Sequence, residues 1–189
     1  MKLLKNKRAL STVVTTLIIL VVSVLLATVV TFYAINVTTT RVQEESLFLT
    51  KPHVWYSHNG TGDPTGEAAM VIINAGGRDV VIDKFTVRGQ ECDWTNVFYN
   101  ITSGSITEDP TFNSTLSGGG NVYLGSVPYA VIWAGTSNTD ITLRSGDTMI
   151  VYIDDPDSIS LNDIGTTVGI TAFTANAQYY KETNVKAAD

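Results

Sequence analysis

From Ala9 to Thr40 the chain carries no charged side chain: 32 residues reading "ALSTVVTTLIILVVSVLLATVVTFYAINVTTT". As a helix this run is roughly 48 Å long at about 1.5 Å per residue. A bilayer core needs about 20 residues, so the run is long enough to span a membrane and project beyond it. It is apolar on all sides rather than along one stripe, and such a helix must be buried in lipid or in protein. Lys2, Lys5, Lys7 and Arg8 precede it with no acid among them. That asymmetry predicts a cytoplasmic N-terminus and an external C-terminal domain. A secretory signal has an apolar region of only about 7–15 residues followed by a small-residue cleavage site; this run is too long for one.

The remaining stretch of about 140 residues is the size of one domain with a real core. It is rich in Gly, Thr, Ser, Asn and Asp, and its apolar residues fall in short β-branched runs, the composition of an all-β domain. Apart from the four leading cations it holds eight basic against 18 acidic residues, a net charge of −10. Nucleic-acid binding wants clustered Lys and Arg, so no nucleic-acid partner is expected, and the acids read as a solubilising surface. The single cysteine, Cys92, cannot form an intrachain disulfide and reads as a packed thiol beside Trp94.

Turn signals divide the domain. The apolar helix is expected to reach about Ser46, after which "SLFLTKPHVWYS" reads as a first strand, with Pro52 tolerable near an edge. "MVIINAGGRDVVIDKFTV" reads as a strand pair, with Gly76-Gly77 supplying positive φ for a tight connection. "NVFYNIT" and "VYLGSVPYAVIW" supply further short strands. In "TMIVYIDD" Ile150 and Tyr152 share one face, and Val151 and Ile153 the other. "TVGITAFTANAQYYKETNV" reads as a final hairpin turning at "TANAQ", and "DPDSISLNDIG" has room for a brief helical turn. Short strands at this spacing predict an antiparallel sandwich of the Ig-like kind. The fold class is therefore α+β: a long N-terminal hydrophobic helix followed by an all-β sandwich.

Lys7-Arg8-Ala9-Leu10-Ser11 places a basic pair and a small residue directly before the apolar run. This junction resembles the class III signal of archaeal type IV pilins and archaellins. The resemblance implies that a prepilin peptidase cuts between Ala9 and Leu10, with Lys7 and Arg8 as the recognised pair, and that the helix is kept. Archaellins usually have Gly where Ala9 stands, which favours pilins. The glutamate that bacterial pilins carry near mature position five has no counterpart in Thr12-Val13-Val14-Thr15, as is common in the archaeal branch. The implied organisation is a signal peptide at 1–9, a transmembrane and filament-core helix at 10–46, and an extracellular domain at 47–189. The implied function is that of a pilus subunit, serving adhesion. Its partners would be copies of itself, the peptidase, an assembly ATPase with its platform, and the membrane before assembly. A membrane-anchored monomeric surface domain and an archaellin are the alternatives.

Other constellations were weighed for chemistry. Asn36, Asn59, Asn100 and Asn113 each begin an N-x-S/T sequon, which matters on an exported chain. His53 and His58 are the only histidines; five residues apart on a strand they would face opposite ways, and they read as exposed loop-edge residues. Asp154, Asp155 and Asp157, with Asp163, are the residue type that holds Ca²⁺, but their spacing is not that of an EF-hand and Asp-Pro also marks turns. No metal site, cofactor or catalytic set is expected, and the chain does not read as an enzyme. The aromatics read mostly as core, with some available for subunit contacts.

Overall fold

The computed structural model describes residues 7–42, 44–58, 65–113, 116, 120–136 and 140–188. The chain divides into two units, residues 1–43 and residues 44–189. The first is helix α1 (Lys7–Val42). The second is a largely antiparallel β domain.

Helix α1 ends at Val42, short of Ser46. Val37 and Thr38–Thr40 are β-branched and weak helix formers. Beyond them tertiary bonds hold the backbone out of the helix. The Ser46 carbonyl accepts the Ala75 and Gly76 N–H groups at 2.9 and 3.0 Å. The Glu45 carboxylate accepts from Asn176 Nδ2 at 2.9 Å and from the Thr174 hydroxyl.

One half of the domain contains β1 (Leu47–Ser57), β2 (Thr65–Asn74), β5 (Val97–Thr102), β8 (Ile132–Trp133) and β10 (Thr148–Asp154), in the order β1-β2-β10-β5-β8. The other contains β3 (Val80–Val87), β4 (Gln90–Glu91), β9 (Ile141–Leu143) and β11 (Thr167–Thr174). Strand β12 (Gln178–Ala187) joins them. It pairs antiparallel with β11 up to Asn184 and then parallel with β1 through Val185–Ala187. A separate hairpin, β6 (Asn121–Leu124) with β7 (Val127–Ala130), completes the strands.

The halves face each other across one core. Ala68, Met70 and Ile72 of β2 and Met149, Val151 and Ile153 of β10 meet Ile82, Phe85, Leu143 and Ile170 from the opposite half. The alternate residues of the same strands, Ala69 and Val71, Ile150 and Tyr152, turn to a second core. That core is closed by Val122 and Leu124 of the hairpin, Val131 and Ile106. Strand β10 thus has the facing predicted for Ile150/Tyr152 and Val151/Ile153, and both faces are buried, which accounts for its nearly continuous apolar run. The final hairpin and the short turn at Leu161–Asp163 lie where the sequence placed them.

Two expectations are corrected. β2 and β3 do not pair: they belong to opposite halves, and "NAGGRD" crosses between them. Neither Gly76 nor Gly77 has positive φ. Gly76 is required by close approach, since a Cβ there would lie 2.8 Å from the Glu44 carbonyl oxygen and the Ser46 nitrogen. Pro52 lies just before the stretch of β1 that β12 pairs, Val54–Tyr56, where β1 has β2 alone beside it. The ladder with β2 also breaks there, between Thr50 and His53, and Lys51 adopts φ 53°. This irregularity removes the ladder bond that proline could not have donated.

Candidate functional site

Helix α1 is the feature that most needs a partner. Among the described residues one helix, over Leu10–Thr40, is long and apolar enough to cross a membrane. Its apolar side chains are exposed all round, from Leu10 at 71% through Leu17, Leu20 and Leu25 to Phe32 at 70%. Most of its hydroxyls are already satisfied within the helix. Thr15, Ser23, Thr28 and Thr31 each donate to the carbonyl four residues back at 2.7–2.9 Å, and Thr16 donates to Val13. Back-bonding lets these residues enter an apolar environment without an unpaired donor. Ala27, Thr28 and Thr31, flanked by Val24, Phe32 and Ile35, make a shallow groove on one side. Small residues of this kind allow close helix approach.

The predicted processing site lies at the start of this helix. α1 begins at Lys7 with no acid in its first turn, so the Ala9–Leu10 bond falls within that turn.

The sequons differ in accessibility. Asn36 is exposed on α1, and Asn59 lies outside the described residues. Asn100 on β5 donates its amide to the Ala130 carbonyl at 2.5 Å. The Asn113 amide reaches the Asn121 carbonyl at 3.5 Å. A sugar on either of the last two nitrogens would require those contacts to be remade.

His53 is corrected from an exposed loop-edge residue to a half-buried one. It stacks on Trp55 with ring centroids 5.2 Å apart, and its Nδ1 is buried without a hydrogen-bond partner. Burial, and then the Lys186 charge, hold its pKa below the ordinary histidine value. His58 is exposed. Two of the four aspartates are committed elsewhere: Asp163 pairs with Arg88 at 2.7 Å and takes the Ser160 hydroxyl and N–H, and Asp157 accepts from Gln90. The two Ser160 bonds and then Arg88 hold Asp163 below the usual carboxylate range. Asp154 is pushed upward by burial and by Asp155. Among the described residues no group of three or more His, Cys, Asp or Glu is placed to hold a metal. Burial pushes the Cys92 thiol up to about 11. Trp94 packs edge-on against Phe85. Of the aromatics expected in the core, Tyr123 and Tyr180 are instead exposed, at 55% and 59%.

One residue was missed entirely. Glu67 on β2 is 1% exposed. Burial raises its pKa to about 8, against a lowering by the Asn113 N–H and with help from Asp154. Both of its oxygens accept from that N–H, at 3.1 and 3.3 Å. The only sequence signal was its place at the head of the run Ala68–Ile72, which is apolar on both faces.

No family model matches this chain, and no curated protein matches it. Among solved structures, a copper-bound PCuAC domain from PmoF2 is similar over 77% of this chain and 99% of that one, with 14% identity and a TM-score of 0.31. A likeness at that level carries no argument about fold, metal or function.

Proposed function

We propose that the chain is a structural subunit of an archaeal type IV pilus-like filament. The observation that carries this reading is the 31-residue helix Leu10–Thr40, apolar on every side, directly behind the Lys7-Arg8-Ala9 junction. In this account the precursor inserts with its N-terminus in the cytoplasm and the peptidase cuts after Ala9. The retained helix then leaves the membrane for a bundle of identical helices. The acidic β domains face outward and serve surface attachment. The chain performs no catalysis and needs no cofactor. Burying apolar surface yields about 25 cal/mol per Å² when that surface leaves water. Lipid already shields the helix, so extraction gains far less and needs external work, supplied by an assembly ATPase acting through its platform.

The junction is tested by replacing Arg8→Glu together with Ala9→Trp in the native host. The expected result is accumulation of uncut precursor in the membrane and loss of surface filaments by electron microscopy. Filaments in normal number from the double variant would refute the assignment of that junction.

A further inference from the structure

On the outer face of β2, Glu67 stands in register with Trp55 of β1 and with Asp154 of β10. Over this face runs the segment Ile106–Asn113. Lys51 ties its near end, donating to the Thr107 and Glu108 carbonyls and lying 3.6 Å from Asp109. Its far end is held from beneath by two side chains of the sheet. Tyr152 donates its hydroxyl to the Thr111 carbonyl at 3.0 Å, and Glu67 receives the Asn113 N–H. Between them Phe112 meets Trp55 edge-on, with centroids 6.4 Å apart.

A glutamate is a poor residue for a purely structural tie here. A buried carboxylate is costly unless it is paired with a cation. The groups that act on Glu67 are of the wrong kind. From β10 come Asp154, a like charge, and Tyr152, an un-ionised phenol; from β1 comes Trp55, without charge, with His53 stacked behind it, its pKa lowered by burial and then by Lys186. Among the described residues the overlying segment offers one backbone N–H, whose pull toward the ionised form is outweighed by burial.

We propose that Glu67 works a pH-operated latch: while neutral it stays buried under Thr111–Asn113 on the outer face of the sheet, and once it ionises, its burial beside Asp154 favours lifting of this segment. The proposal does not rest on the filament reading. In the lifted state Glu67 meets water and regains an ordinary carboxyl pKa; in the closed state it titrates near 8. The sign follows by linkage. A folded-state pKa raised above its open-state value makes closure most favourable below the ordinary value. That advantage is lost as pH rises toward 8 and levels off above it. Lifting uncovers Trp55 and Phe112, whose aromatic surface would then be open to contact.

The test is amide hydrogen exchange on the full chain in detergent micelles, with rates divided by the intrinsic base-catalysed rate at each pH. Protection at Asn113 is expected to fall about tenfold per pH unit between roughly 5 and 8 and then level off. In Glu67→Gln it should be independent of pH, and in Asp154→Asn the fall should persist. The Val71 and Ile150 amides, on strands paired on both sides, should keep their protection throughout. A pH-independent protection factor at Asn113 in the unaltered chain overturns the proposal, and this outcome needs no variant to fold. Equal loss at Val71 and Ile150 would also overturn it, because the opening would then be global.

Discussion

Replacing Asn74→Ala is expected to lower the stability of the β domain by about 3 kcal/mol, or roughly 10 °C in Tm for a domain of this size. Asn74 is fully buried at the end of β2. Its amide donates to the Arg78 carbonyl at 2.9 Å and to the Leu143 carbonyl at 3.0 Å, while its Oδ1 accepts the Gly76 N–H at 3.0 Å. Its backbone also bonds Asp147 and Gly146. One side chain therefore ties the β2–β3 crossover to the β9–β10 crossover. Alanine keeps the backbone bonds, and the Gly76 N–H keeps the Ser46 carbonyl, but two carbonyls are stranded, each costing about 1–3 kcal/mol unless water reaches it. Thermal unfolding of the full chain in detergent measures the loss. Asn184→Ala, which removes an exposed bond to Thr167, should change stability by less than about 0.5 kcal/mol. A loss at Asn74 no larger than that would contradict its role as the hub.

The second large effect separates a filament core from a simple anchor. Leu25→Asp places a carboxylate near the middle of the apolar run, at a position 60% exposed on the isolated helix. On insertion scales a central Asp costs about 2.5–3.5 kcal/mol, whereas each Leu, Ile, Val or Phe contributes about −0.3 to −0.6. The 16 such residues that remain in the run outweigh one Asp, so the variant should still insert. A dry bundle of helices is less forgiving, because every subunit brings its own charge and no headgroup lies within reach. The expected outcome is a precursor that fractionates normally with the membrane, together with at least a tenfold drop in surface filaments. Loss of membrane insertion, or filaments at normal abundance, would count against a shared apolar core.

The strands were legible because β-branched runs and turn residues punctuate the chain, and α1 was legible because an uncharged run of 32 residues has few uses. What failed was partnership. "NAGGRD" has the composition of a hairpin turn, but whether it pairs two strands or carries the chain to the opposite half depends on the bonds that its own Asn74, Ala75 and Gly76 make with Leu143 and Ser46, which are distant in sequence. The bulge at Pro52 was hidden too, since it depends on the register of β1 with β2. Glu67 was invisible for a related reason. A glutamate entering a strand reads as solvent-facing, and its burial is decided by Phe112 and Asn113, some 45 residues away, closing over it. The proposed processing junction rests on a resemblance to a family, because nothing in the physics of Ala9–Leu10 marks that bond for cutting.

The central claim is that the chain is cut before its apolar helix and that the helix is kept. Intact-mass measurement of the protein recovered from its native cell surface tests this most directly. The account predicts a mature chain beginning at Leu10, with any added mass confined to the sequon-bearing region. A surface-located chain beginning at Met1 or Lys2, or one lacking the helix altogether, would contradict it.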